Sequence, residues 1–272
     1  MPCKAWVQIC LAMLWGSILA SSALAQDSDR QDWLRNPAMG NYKAYAEFKM
    51  THYAKAREVW ETLAEVGNGD ALFNLGVMAE DGLGEPRNMA KAEALYESAA
   101  NGNNFKAQYR LGLLYSTGGL LAKDETKARV YLTLASQHGD KDAASLLAQL
   151  SDPSQTPTPL QQADLLSAQG QHMQAAKLYS VLADKQDATA QTRLAWMYEA
   201  GRGVSQDLSE AARRFEIAAN AGHAEAQYAL AVMLRTGRGR MRDDAQSLVW
   251  LKRSAAQNYP SAVAAAHSLH DL

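Results

Sequence analysis

The chain has 272 residues, 47% of them hydrophobic and 21% charged, which excludes both a disordered chain and a multi-span membrane protein. A net charge of −2 supplies no field to draw it onto nucleic acid, and none is expected as a partner. Aromatics are only 8% and alanine is abundant, a balance that suits closely packed helices better than a β-sandwich.

In chain order, Lys4 precedes an uncharged run from Ala5 to Ala25, most apolar at Ile9 to Trp15 and ending in Ala23-Leu24-Ala25. A basic start, a short apolar centre and a small-x-small end predict a secretory signal over 1–25, cleaved after Ala25. An uncleaved anchor is the alternative, since about 18 apolar residues span a bilayer. Gln8, Gly16, Ser17, Ser21 and Ser22 dilute the run, so no stable membrane insertion is expected after cleavage. Both cysteines, Cys3 and Cys10, lie in this segment, so the mature chain is expected to lack disulfides, thiol nucleophiles and thiolate metal sites. The signal predicts the periplasm of a Gram-negative bacterium, or alternatively the exterior. A lead segment follows over 26–39.

From there the chain repeats itself. Ala71, Ala107 and Ala143 are spaced by 36 residues, as are Ala190, Ala226 and Ala262. A shift of 119 residues maps Leu75 on Leu194, Gly82 and Gly84 on Gly201 and Gly203, and Ala107-Gln108-Tyr109 on Ala226-Gln227-Tyr228. Three periods account for 108 of those residues, and the Pro-containing stretch 151–159 supplies most of the rest. The sequence therefore predicts two related half-arrays, 40–150 and 160–272, joined by a short linker.

Each unit reads as a helical hairpin. Ala71, Leu72, Leu75, Met78 and Ala79 follow the spacing of one helix face, and Gly82 stops the helix. A second helix carries Ala90, Ala94, Leu95, Ala99 and Ala100. Gly76, Ala92, Ala99 and Ala100 are expected where neighbouring helices touch. The expected fold is all-α, an α-solenoid of antiparallel helix pairs.

The run Ala71-Leu72-Phe73-Asn74-Leu75-Gly76-Val77-Met78, then Gly82-Leu83-Gly84, Lys91-Ala92 and Ala99-Ala100-Asn101-Gly102, resembles Sel-1-like repeats, relatives of the tetratricopeptide repeat. Further copies begin at Ala107, Ala190 and Ala226, while the hairpins around 42–67 and 160–186 look more like ordinary tetratricopeptide units. A partial copy at Ala143 is expected to close the first half-array. Gly118-Gly119-Leu120-Leu121 departs from the Gly-x-Gly turn, and Ser247 stands where the family usually has alanine.

Catalytic and metal signatures are missing, so no catalytic residue, cofactor or metal site is expected. His267 and His270 share a helix spacing but lack a third ligand. Glu80-Asp81 reads as a solvated helix end. The resemblance implies that the first helix of each pair lines the concave face. That gives a stripe of Phe73, Val77, Tyr109, Leu113, Trp196, Tyr228 and Val232 suited to a peptide or helix, with Trp196 the leading contact. Arg235, Arg238, Arg240 and Arg242 crowd the last turn, either as a solvated loop or as a site for an acidic partner. The expected function is an exported scaffold for protein partners, an adaptor for envelope assembly or a cell-wall enzyme. The alternatives are a secreted factor that binds a host or extracellular protein and, without a nucleophile–base pair to support it, a peptidoglycan- or β-lactam-related enzyme.

Overall fold

A computed structural model describes residues 29–152, 154 and 156–270, and the signal segment lies outside the described residues. Helix α1 covers 29–35, and hairpins follow. The first half comprises α2 (Pro37–Lys49) with α3 (Tyr53–Glu65), α4 (Gly69–Asp81) with α5 (Met89–Asn101), α6 (Phe105–Thr117) with α7 (Glu125–Gln137), and a single α8 (Lys141–Ser151). The second half comprises α9 (Pro159–Ala168) with α10 (His172–Asp184), α11 (Ala188–Ala200) with α12 (Leu208–Asn220), α13 (Ala224–Thr236) with α14 (Asp244–Ala256), and α15 (Pro260–His270). The fold is an all-α solenoid in which, from α2 onward, each helix packs on its neighbours in sequence except across the break between α8 and α9.

Local chemistry repeats with the units. Asn68, Asn104 and Asp140 cap α4, α6 and α8 by accepting from the backbone N–H of Ala71, Ala107 and Ala143. Asp187 and His223 do the same for α11 and α13. Each cap satisfies an orphan N–H and fixes where the helix begins. At the other end Gly82, Gly118, Gly201 and Gly237 stop the first helices in the left-handed region, with φ of 70°, 69°, 67° and 70°. The divergent turn does differ: Gly118 is left-handed, but no second left-handed glycine follows it, as Gly84, Gly203 and Gly239 do elsewhere.

The six alanines that set the period are all fully buried. They sit where helices approach too closely for a larger side chain. Gly76 and Gly112 mark the closest approaches at glycines inside a helix. A Cβ on Gly76 would lie 2.5 Å from Tyr96 Cε1, and one on Gly112 would lie 2.6 Å from Leu132 Cγ. At Ser247 the departure from alanine is accommodated, because its buried hydroxyl donates to the Ala231 carbonyl at 2.7 Å.

The two halves also touch each other. Helix α2 packs against α13 and α15, and α6 packs against α9. Tyr45 stacks on Tyr228 with centroids 5.4 Å apart, and Tyr42 meets the same ring edge-on at 6.4 Å. The solenoid thus winds far enough for its first complete hairpin to meet its last helices. Between α8 and α9 the break is brief, and Thr158 opens α9 with a capping box to Gln161.

The glycine contacts yield a stability test. Alanine is the better helix former by about 1 kcal/mol, but overpacking against Leu132 costs about 1–3 kcal/mol. Gly112→Ala is therefore expected to destabilise the chain in urea denaturation, and Leu132→Ala in the same chain to change the sign of the Gly112→Ala effect. Stabilisation by Gly112→Ala alone would show that the approach is loose.

Candidate functional site

Closure turns the inner faces of both halves towards one cavity of about 360 Å³. Helix α4 contributes Phe73, Val77 and Glu80, α6 contributes Tyr109, Arg110 and Leu113, α11 contributes Arg193, Trp196 and Glu199, and α13 contributes Glu225 and Tyr228. From the sequence stripe, Phe73, Val77, Tyr109, Leu113, Trp196 and Tyr228 therefore share one interior, joined by Arg238. The stripe lines a cavity instead of an open groove, because the opposite half faces it.

Val232 departs from this pattern, being fully buried in the packing of α13. The four arginines of the last turn do not converge. Arg235 lies over the Tyr42 ring at 5.7 Å, Arg240 donates to Glu216 at 2.8 Å and Arg242 donates to Asp244 at 2.7 Å. These three each have a local neighbour, whereas Arg238 lines the cavity with its Nε lacking a hydrogen-bond partner, so the forks are not gathered around a common point.

Glu80-Asp81 corrects the reading of a solvated end. The Glu80 side chain is 3% exposed and accepts from Arg110 Nε at 3.0 Å and from the Tyr96 hydroxyl at 2.8 Å. Burial alone would raise its pKa, but Arg110 and Arg202 outweigh that and hold it at about 2. Arg202 comes from the turn after α11 and pairs with Asp81, so this cluster ties the second half to the first.

A second cluster centres on Arg193. Its guanidinium lies 3.6 Å from Asp164, 3.8 Å from Glu225 and 3.9 Å from Asp142. Tyr109 donates to Asp164 at 2.9 Å and Trp196 Nε1 donates to Glu225 at 3.1 Å. Burial raises the Asp142 carboxyl, and Asp164 and Asp140 add to the rise against Arg193. Burial also acts to raise Glu225, yet Arg193, His223 and Lys106 bring it below the usual carboxylate range.

The third cluster is built on Lys49, at the end of α2. Its side chain is fully buried and pairs with Glu199 of α11. The ammonium lies 3.9 Å from the Trp196 ring centroid, 4.9 Å from Tyr45 and 5.2 Å from Phe215. Burial draws its pKa down to about 8 against the pull of Glu199. Three aromatic faces and one carboxylate replace the water that an ammonium loses.

Sequence reasoning missed Arg110, Arg193, Glu225, Lys49 and Lys106 as interior residues. Arg110 and Arg193 each stand three residues after a buried period alanine, next to the stripe position, so a wider inner face would have included them. Lys49 carries no such signal, since its carboxylate is 150 residues away. Among the described residues no group of three or more His, Cys, Asp or Glu is placed to hold a metal ion. No helix among them is long and apolar enough to cross a membrane.

The family model described as Sel1 repeat matches residues 69–104, 105–140, 188–223 and 224–259. These segments coincide with the four helix pairs that open at Gly69, Phe105, Ala188 and Ala224. Among solved structures, a Sel1 repeat protein from Oxalobacter formigenes is similar at 24% identity and a TM-score of 0.40, covering 84% of this chain and 85% of its own. The protective antigen c5321 of uropathogenic Escherichia coli, which displays an SLR fold, is similar at 24% identity and a TM-score of 0.39. That match covers 89% of this chain and 52% of the antigen.

Two tests follow from these clusters. Lys49→Met leaves Glu199 buried without a counter-charge and is expected to cost about 3–5 kcal/mol in denaturant unfolding. Lys49→Met combined with Glu199→Leu should recover most of that loss; an additive double variant would mean that the pair is uncoupled.

The second concerns pH. Burial, with Arg202 and Arg110, lowers His172 to about 4, and burial lowers His223, whose Nδ1 accepts from the Ala226 N–H at 3.4 Å. In the unfolded chain both take up a proton near pH 6.5. Their contribution to stability is therefore full above that pH and is lost as pH falls below it, for His172 down to about 4. The double variant His172→Asn, His223→Asn, in which asparagine preserves the cap, is expected to lose stability less steeply over this window in urea titrations. An equal slope would rule out both groups as the source.

Proposed function

The chain belongs to the Sel1 repeat family, and from that premise we propose that it is an exported scaffold that binds a protein partner in the envelope of a Gram-negative bacterium, without catalysis of its own. The observation that carries this reading is the meeting of one aromatic or aliphatic stripe from each of four repeats. Phe73, Tyr109 and Tyr228 each stand two residues after the period alanine of their helix, Trp196 stands one turn later, in line with Val77 and Leu113, and all look onto one interior. Repeat arrays vary such inner positions while the packing positions stay small, and so acquire binding specificity without disturbing the fold. A partner reaches this interior with a side chain or a short segment, since the cavity of about 360 Å³ has no room for a whole helix.

Export is supported by Lys4, the apolar run after it and Ala23-Leu24-Ala25, all outside the described residues. Within the envelope the scaffold would serve assembly or a cell-wall enzyme.

The test is photo-crosslinking in cells, with the reactive residue at Val77 inside the cavity or at Val130, whose side chain is exposed on α7. Val77 is expected to capture a protein from the periplasmic fraction, identified by mass spectrometry, and Trp196→Ala to abolish the capture. Capture from Val130 alone would overturn the interior as the binding face. Recovery of the chain in the medium would overturn the periplasmic placement and favour a secreted factor.

A further inference from the structure

We propose that the cavity accepts an organic cation with N–H donors on an apolar arm, a primary ammonium or guanidinium of about the size of an arylalkylamine. The inference deepens the reading of the interior as the binding face and rests on it.

Charge is the first reason. Seven carboxylates but only five cationic side chains line the cavity, and one carboxylate still stands in excess when Lys49, buried against Glu199, is added to the cations. The excess is concentrated around Arg193, whose guanidinium stands 3.6 Å from Asp164 and 3.8 Å from Glu225 of the wall and 3.9 Å from Asp142, which lies outside the lining, beyond hydrogen-bond length from all three. A further cation entering here meets surplus negative charge, whereas an anion meets carboxylates that already share a single arginine.

The second reason is unfilled hydrogen bonding. Glu199 and Tyr45 both line the cavity and are 6% and 8% exposed. Yet Glu199 Oε1 and the Tyr45 hydroxyl have no hydrogen-bond partner. A buried acceptor without a donor is costly, and an N–H-bearing cation supplies what a neutral hydrocarbon or a carboxylate would not.

The third is the aromatic surface. Trp196, Tyr109, Tyr228 and Tyr259 present rings to the same space. The chain already uses such rings for its own cations, with Lys49 over Trp196 at 3.9 Å and Lys106 over Tyr259 at 4.9 Å. An apolar arm packs against the remaining faces, and the volume suits a small molecule.

The experiment is isothermal titration of the exported full chain with phenethylammonium, 3-phenylpropionate and 2-phenylethanol, three probes that share a phenyl arm and differ in charge. One phenethylammonium per chain is expected to bind, with the other two at least about tenfold weaker. Glu225→Gln, which keeps an acceptor for Trp196, is expected to weaken the amine roughly tenfold. If that variant fails to fold, Asp142→Asn, on a side chain 35% exposed that lies outside the cavity lining and 3.9 Å from Arg193, is expected to weaken the amine several-fold by leaving the Arg193 charge to Asp164 and Glu225 alone. Equal binding of the anion or the alcohol, no binding of the amine at millimolar concentration, or unchanged affinity in the folded variant would overturn the proposal. No protein partner enters the titration, so its failure leaves the crosslinking result standing, and the reverse.

Discussion

The closed form of this solenoid turns on a single buried ammonium. Lys49 ends α2, the first long helix, and its charge sits between Trp196, Tyr45 and Phe215 against the carboxylate of Glu199. Removing an ammonium from water costs several kcal/mol even after relaxation, roughly as much as one close carboxylate returns. Each aromatic face adds on the order of 1–2 kcal/mol when desolvated. The pair is thus no large reservoir of stability, but it discriminates strongly between arrangements, because any other register of α2 strands a charge in the interior. The tyrosine stack beside it, Tyr42 and Tyr45 on Tyr228, supplies apolar burial that does not depend on register in that way.

An open repeat array is held by nearest-neighbour interfaces, and its stability is close to a sum over units. Contacts between α2 and α13 or α15, and the pairing of Arg202 with Asp81, add terms between units far apart in the chain. Opening one end then exposes both, so the ends that would ordinarily fray are coupled to each other. Such closure matters more in a chain whose described residues contain no cysteine, because packing and charge alone hold its units together.

The units were legible in the sequence for a local reason. A fully buried alanine every 36 residues, an Asn, Asp or His cap three residues before it and a left-handed glycine eleven residues after it are all set within one hairpin. Those signals repeat because each unit solves the same packing problem. The closure was not legible, because superhelical pitch comes from small rotations summed over many units, and no single residue encodes it. Lys49 and Glu199 are separated by 150 residues and look like an ordinary helix-end lysine and a helix-face glutamate until the winding brings them together. The stripe was found from Phe73 to Tyr228, while its neighbours Arg110 and Arg193 were not, because a charged residue beside an aromatic stripe reads as a solvated flank in an open groove. In a closed ring there is no flank.

That geometry also explains why the interior is charged at all. First helices lean inward around a small circumference, and the space between them is too wide for the alanines that pack neighbours and too narrow for another helix. Long side chains span it: Arg110 reaches Glu80 one unit back, and Arg193 reaches towards Asp164, Asp142 and Glu225 on three different helices. Saturated pairs such as Arg110 with Glu80 fix the spacing between units. The Arg193 cluster differs, because one guanidinium divided among three carboxylates at 3.6–3.9 Å satisfies none of them by direct hydrogen bond. A buried polar network is favourable only when its members are satisfied, and it is this unbalanced wall, beside rings that already hold ammonium groups, on which the proposed cation binding rests.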